Sequence, residues 1–193
     1  MKKIACILLI VLVTMAGMAL AGLLYVRRTG LVARIEPGAI ETQIGRSVRS
    51  FAVPPDAREL RNPVSMDAED FAEVRAHYAD HCAVCHANDG SGEIPMGQSM
   101  WPKAPDMRLA ATQGLTDGEL FWIIENGIRF TGMPGWGTDT PDGEEASWSL
   151  VHFVRHLPDI TQAEIDEMDM LIPRSEADIR QEIEEERFLR GDD

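Results

Sequence analysis

The residues that point most directly to chemistry are two cysteines and a histidine near the middle of the chain, Cys82, Cys85 and His86. They form a C-x-x-C-H pattern, which is the attachment motif of c-type haem. Positions i, i+3 and i+4 of a helix share one face, so both thiols can form thioethers with the two vinyl groups of one haem. The imidazole of His86 then lies over the iron as an axial ligand. The motif therefore predicts one covalently attached haem c.

Two other kinds of site also use a C-x-x-C pair. A thioredoxin-like redox site needs a β-α-β context, and the sequence shows no strand pattern of any length. A structural zinc site needs four ligands, but the only further cysteine is Cys6, which lies in an apolar segment far from the pair. The sequence thus favours haem over both alternatives.

A second axial ligand is expected from Met133, in the segment TGMPGWG at residues 131–137. The flanking glycines let the backbone approach the porphyrin closely, and Pro134 holds Met133 in an extended conformation. The chain has ten methionines, and a methionine often only fills a core. Three methionines of the preceding loop therefore stay open as alternatives: Met96, Met100 and Met107.

Helices must position these ligands. Asp67 can cap a helix that carries Phe71, Val74 and Tyr78 on one face and runs towards Cys82. Thr116 and Glu119 form a capping-box start for a second helix, which Gly127 ends after Asn126. A third helix is predicted over about 143–156, with Trp148, Val151 and Val154 facing inward. The segments 87–114 and 131–140 are predicted loops, and the fold class is all-α.

The N-terminal segment is apolar. After residues 1–3, residues 4–26 form 23 consecutive uncharged positions, which as a helix would span about 34 Å and cross a hydrocarbon core of about 30 Å. A cleaved signal peptide could use Ala19-Leu20-Ala21 as its processing site, but the apolar run continues beyond that site and exceeds the usual length of such a region. An uncleaved transmembrane anchor is therefore the favoured interpretation.

Two segments flank the central domain, which is predicted to span residues 66–158. Residues 27–65 are a predicted linker with one helix, whose apolar positions Ile40, Ile44, Val48 and Phe51 we expect to pack on the domain as a collar rather than on a lipid surface. Residues 159–193 are a predicted acidic helical tail with helix starts at Thr161 and Ser175, and we expect a solvated face there rather than a docking arm.

Charge limits the possible partners. Residues 63–193 hold nine Lys and Arg against 28 Asp and Glu, a net charge of −19 within a whole-chain charge of −14. Nucleic-acid binding needs a basic face, so a nucleic-acid partner is not expected.

The sequence shows no nucleophile–base–acid set that would indicate an enzyme. The histidines outside the haem motif are expected at the surface or at a haem edge: His77, His81, His152 and His156. The sequence therefore predicts an electron carrier rather than an enzyme.

Residues 66–158 resemble a class I monohaem cytochrome c of the membrane-anchored bacterial kind. The resemblance rests on the Cys82–His86 motif, the Gly- and Pro-rich loop after it, the helix that opens at Thr116, the Met133 loop and the closing helix before Pro158. One departure is Ala87, where the family commonly has glycine after the motif histidine.

The resemblance implies a helical bundle around one haem attached outside the cytoplasm. It also implies that a proline carbonyl of the first loop accepts a hydrogen bond from His86, and Pro105 is the first choice over Pro95 and Pro102. Trp101, Trp136 and Arg108 are candidates to pack on the haem edge or hold its propionates. The expected function is electron transfer between redox protein partners, such as those of a respiratory chain, from a single-pass anchor in the inner membrane with the haem domain in the periplasm. A haem subunit of a larger membrane oxidoreductase is the alternative, followed by a haem enzyme or gas sensor.

Overall fold

Helices make up the regular structure of the protein, for which a computed structural model describes residues 2–30, 32, 33, 35–171, 187 and 190. These residues contain no strand, which confirms the all-α prediction. The chain divides into two compact units, Met1–Glu36 and Pro37–Asp193. Each unit is described separately below.

The first unit is one long helix, α1, at Lys2–Thr29. Within it, Lys3–Thr29 is long and apolar enough to cross a membrane, and none of its most apolar window is buried within the protein. A signal sequence near an N-terminus has the same properties, so α1 is a candidate transmembrane helix.

The second unit contains a series of shorter helices. Its helices in chain order are α2 (Ala39–Ala52), α3 (Pro55–Glu59), α4 (Ala68–His81), α5 (Ala83–His86), α6 (Pro95–Ser99), α7 (Ala110–Gln113), α8 (Asp117–Asn126), α9 (Pro141–His156) and α10 (Gln162–Leu171), with a 3₁₀ turn at Leu157–Asp159 between the last two. The segment 87–114, predicted as a loop, thus contains the two short helices α6 and α7.

Capping side chains fix where the principal helices begin. The carboxylate of Asp67 accepts hydrogen bonds from the backbone N–H groups of Glu69 and Asp70 at 2.8 and 3.0 Å, and the Asp70 carboxylate accepts one from the Asp67 N–H. Thr116 and Glu119 make the same reciprocal pair at the start of α8. Each cap satisfies backbone donors that have no partner inside the helix, and both predicted helix starts are confirmed.

The core lies where α9 packs against α4 and α8. Tyr78 of α4 and Phe153 of α9 are almost fully buried, and their ring centroids lie 4.6 Å apart. On the other side of α9, Trp148 stacks on Phe121 of α8 with a centroid distance of 4.0 Å. The three side chains predicted to face inward from α9 are all buried: Trp148, Val151 and Val154.

The helix α10 belongs structurally to this core, although sequence analysis placed it in a solvated tail. It packs against α4, and its Met168 is completely buried. Asp169 accepts a hydrogen bond from the side-chain amide of Asn88 at 2.6 Å, which ties α10 to the segment after the haem motif. The predicted helix start at Ser175 and the basic linker residue Arg34 lie outside the described residues.

The predicted helix of the linker exists as α2, but the expected packing of its apolar face on the domain is wrong. None of its residues is buried, and Ile40, Ile44, Val48 and Phe51 are all exposed. The chain meets the domain only after α2 has ended, where Val53 and Ala57 are buried. An apolar stripe therefore need not cover the nearest core.

Candidate functional site

The two cysteines and the histidine of the motif lie on one tight turn after α4. Cys82 ends that helix by donating its N–H to the Tyr78 carbonyl at 2.8 Å. The carbonyl of Cys82 then accepts hydrogen bonds from the N–H groups of Cys85 and His86 at 3.1 and 3.0 Å. The spacing thus places the three side chains on one helical turn, as the motif predicts.

Neither cysteine is in a disulfide, and both are partly buried. Burial raises the pKa of Cys82 to about 12, with the neighbouring Cys85 adding to the effect, and burial also raises the pKa of Cys85. Two unpaired thiols three residues apart are the donor set that two thioether bonds to haem require.

His86 is positioned as a metal ligand by its burial and by one backbone carbonyl. Burial lowers the pKa of His86, and the nearby Pro105 carbonyl opposes that shift. Among the described residues, the buried Nδ1 atom of His86 has no hydrogen bond of standard length and angle, so Pro105 is the group that acts on it. A neutral imidazole whose Nδ1 faces a carbonyl keeps Nε2 available for iron. The role of Pro105 as acceptor of a His86 hydrogen bond stays a prediction.

The first loop closes tightly over this turn. The N–H of Gly92 donates to the His86 carbonyl at 2.8 Å, and the N–H of Ala104 donates to the Gly97 carbonyl at 3.0 Å. Gly97 lies so close to Cys85 that an added Cβ would overlap the Cys85 carbonyl oxygen and lie 2.7 Å from that of Gly92. Only glycine fits at that position, and the contact holds α6 against α5.

Sequence analysis missed two polar side chains that fix this arrangement. The hydroxyl of Tyr78 donates to the Ala87 carbonyl at 3.1 Å, directly after the motif. The amide of Gln113 donates to the carbonyls of Met107 and Val154, both at 2.8 Å, and so links the first loop to α9. Neither residue belongs to a motif, since each acts on backbone groups that become neighbours only in the folded chain.

The Met133 loop is fixed by backbone contacts to the end of α8. The Met133 carbonyl accepts from the Ile128 N–H at 3.1 Å, and the Met133 N–H donates to the Thr131 hydroxyl. The N–H of Trp136 donates to the Ile124 carbonyl at 2.9 Å. Gly127 has a φ of +65° and lies against the Met133 backbone, where a Cβ would clash. Met133 itself is partly buried.

The three alternative methionines have different environments. Met107 is buried in the core and Met96 is exposed. Met100 is the one that approaches the Met133 loop, because its sulfur lies where a Cβ on Gly132 would be. The structure thus makes Met100 the strongest rival to Met133, a distinction that the sequence does not give.

The remaining candidates for contact with the haem edge differ in burial and in the partners that their side chains already have. Trp136 is partly buried against the core, with its ring edge-on to His81 at a centroid distance of 5.5 Å, and Trp101 is also partly buried. The guanidinium of Arg108 pairs with Asp106 and Asp89, at 2.8 Å each, and the hydrogen bonds that it donates to Asp106 raise its pKa further. A propionate at Arg108 would therefore compete with two carboxylates.

The other histidines make no further metal site within the described part of the chain. His77 and His81 lie side by side with ring centroids 4.8 Å apart. His152 Nε2 bonds the Val64 carbonyl at 2.8 Å, and His156 Nε2 bonds the Glu164 carboxylate at 2.9 Å. These contacts are structural.

The site residues fit a covalent haem by three observations: two free thiols and an imidazole on one turn, a carbonyl behind that imidazole, and a methionine loop held by backbone bonds. Comparison with protein families gives the same result, since residues 69–154 match the family model of cytochrome c oxidase, cbb3-type, subunit III. No curated protein matches the chain. Residues 69–154 of this chain are a c-type cytochrome domain that carries covalently attached haem c, in an all-helical protein with one candidate transmembrane helix.

Proposed function

We propose that this protein is a membrane-anchored carrier of single electrons, with His86 and Met133 as the two axial ligands of its haem. The haem, when bound, supplies reversible one-electron exchange between ferric and ferrous iron. The observation that carries the proposal is the motif turn, which brings Cys82, Cys85 and the partly buried His86 together near the Pro105 carbonyl.

The chain's own residues would keep the site closed to other chemistry. With His86 and Met133 both bound to the haem iron, no open position would be left for oxygen or peroxide. A haem enzyme or gas sensor would instead need one open position, and carbon monoxide binding to the reduced protein separates the two classes. A six-coordinate carrier should bind it weakly.

Replacement of Met133 tests the ligand assignment. Met133→His should lower the midpoint potential, because a thioether ligand raises the potential of a haem relative to imidazole. Met133→Ala should open the site to exogenous ligands, and both variants should keep covalent haem because the two cysteines attach it. The measurement is a potentiometric titration combined with the near-infrared charge-transfer band of ferric methionine-ligated haem.

Met100→Leu is the matched control, since Met100 is the methionine whose sulfur lies against the Met133 loop. Its band and potential should match those of the unmodified protein. Loss of the band in Met100→Leu together with its survival in Met133→Ala would assign the ligand to the first loop instead.

The proposed location is the inner membrane, with the haem domain in the periplasm. It is supported by the apolar helix α1 and by the c-type cytochrome domain, whose haem the resemblance implies is attached outside the cytoplasm. We expect the haem protein to stay in the membrane fraction after a high-salt wash and to be released by detergent. Recovery of all haem protein in the soluble fraction would instead indicate a cleaved signal sequence.

A second candidate function is a haem subunit of a larger membrane oxidoreductase. The family that residues 69–154 match is named for a subunit of an oxidase, which favours this alternative specifically. Mild solubilisation of membranes followed by affinity capture and mass spectrometry tests it. Stoichiometric recovery of the same membrane proteins supports a subunit, and recovery of the protein alone supports an independent carrier.

A further inference from the structure

The helix α2 presents four large apolar side chains to its surroundings on one face. Ile40, Ile44, Val48 and Phe51 are 78%, 58%, 60% and 92% exposed. Their spacing of four, four and three residues keeps them within one side of the helix. Exposure of four such side chains to water is unfavourable. We therefore expect another apolar surface to cover this face of α2.

The opposite face of α2 is polar and carries Thr42, Arg46 and Arg49. Arg46, Arg49 and Phe51 line a groove together with Val53 and Leu115. Burial in this groove lowers the pKa of Arg49, and the nearby Arg46 adds to that shift while Glu119 opposes it. On the polar face Arg49 is partly buried and Arg46 is exposed, whereas all four side chains of the apolar face are exposed.

The place of α2 in the chain favours lipid as the occupant. Only nine residues, 30–38, separate it from the candidate transmembrane helix α1, and an extended chain of that length reaches about 32 Å at most. A helix with an aromatic and aliphatic face, arginine on the other face and low overall hydrophobicity is typical of the membrane interface. A second copy is the weaker choice, since four side chains of one short helix offer less than the roughly 800 Å² per partner that a stable interface buries.

We propose that α2 lies on the membrane surface as an interfacial helix, with Ile40, Ile44, Val48 and Phe51 at the acyl boundary and Arg46 at the level of the lipid phosphates. The proposal rests on membrane anchoring by α1 as described above. It makes α2 a second lipid contact, which would limit how far the haem domain can move from the bilayer.

Spin-label depth measurements on the full-length, haem-loaded protein test this proposal. The protein is reconstituted at one copy per nanodisc of phosphatidylcholine and phosphatidylglycerol, in a Cys6→Ala background so that the only free thiol is the introduced one. Labels are placed in separate variants at Val48→Cys on the apolar face, at the exposed Ser50→Cys outside that face, and at Leu12→Cys in α1. Accessibility to oxygen and to a water-soluble nickel chelate is compared, and the haem absorption spectrum verifies folding.

We expect the ratio of oxygen to nickel accessibility to be several-fold higher at position 48 than at position 50, with position 12 higher still. Lipid depth at position 12 but water exposure at position 48 would overturn the interfacial helix and leave the anchor intact. Water exposure at position 12 would overturn the anchor and this proposal with it. Protection of position 48 only in discs that hold two copies would assign the apolar face to a second copy and would also overturn the proposal.

Discussion

Ala87, directly after the haem motif, has a backbone conformation that favours glycine. Its φ is +61° and its ψ is 160°, a region that residues other than glycine occupy at a cost of roughly 1–3 kcal/mol. The hydrogen bond from Tyr78 to the Ala87 carbonyl and the bond from Ala87 N–H to the Ala83 carbonyl hold the turn in place. Alanine in place of glycine at position 87 therefore leaves the turn intact, but its backbone is strained.

Ala87→Gly should stabilise the protein. Glycine relieves the backbone strain of roughly 1–3 kcal/mol, but its extra freedom favours the unfolded chain by roughly 0.4–1 kcal/mol. The free energy of unfolding should therefore rise by about 1 kcal/mol. Thermal unfolding followed at the haem absorption band measures it. Ala72→Gly, at an exposed position inside α4, is the matched control and should cost about 1 kcal/mol. Equal losses in both variants would contradict the strain argument.

The sequence alone predicts those parts of the site whose residue types are determined by local chemistry. The thiols and imidazole of the motif and the caps Asp67 and Thr116 are fixed by local geometry, so the sequence is sufficient for them. The approach of Met100 to Gly132 and the pairing of Arg108 with Asp89 join residues distant in sequence. Such contacts depend on how the loops fold, and periodicity and spacing carry no information on them.

The helix α10 shows how a segment with an acidic sequence can still form part of a core. Its charged side chains interact with α4, where Arg75 pairs with Glu164 at 3.4 Å and also with Glu167. Met168 lies on the buried side of the same helix, with none of its surface exposed. The sequence predicts the helix start at Thr161 but not the burial of the helix, since its apolar positions are few and its acidic residues dominate the composition.

Met168→Ala should therefore release α10. Truncation of a buried methionine costs about 2–5 kcal/mol, and the loss should also weaken the bond between Asp169 and Asn88 beside the haem motif. Met170→Ala is the control in the same helix, because Met170 is 74% exposed and should change stability by less than about 0.5 kcal/mol. Hydrogen exchange in α10 is the measurement. Unchanged protection of α10 in Met168→Ala would show that the other contacts of α10 with α4 are enough to hold the helix in place.

At the scale of the whole molecule, charge and apolar surface are segregated along the chain. The candidate membrane helix and the exposed face of α2 come first, and an excess of 19 negative charges follows over residues 63–193. The sequence predicts this gradient fully, because counting charges needs no fold. How the loops expose the haem edge within the acidic surface depends on tertiary structure, and no pattern in the sequence contains it.

The acidic domain should favour cationic redox partners. Its field concentrates positive reagents near the surface and repels negative ones, and salt screens both effects over a length of about 10 Å at 0.1 M. Reduction of the ferric protein by hexaammineruthenium(II) should therefore slow as ionic strength rises, whereas reduction by ferrocyanide should accelerate. Stopped-flow kinetics with both reagents at matched ionic strengths measures the two slopes. Slopes of the same sign would mean that the net charge does not govern the potential at the haem edge, and partner choice would then have to depend on local contacts rather than on steering.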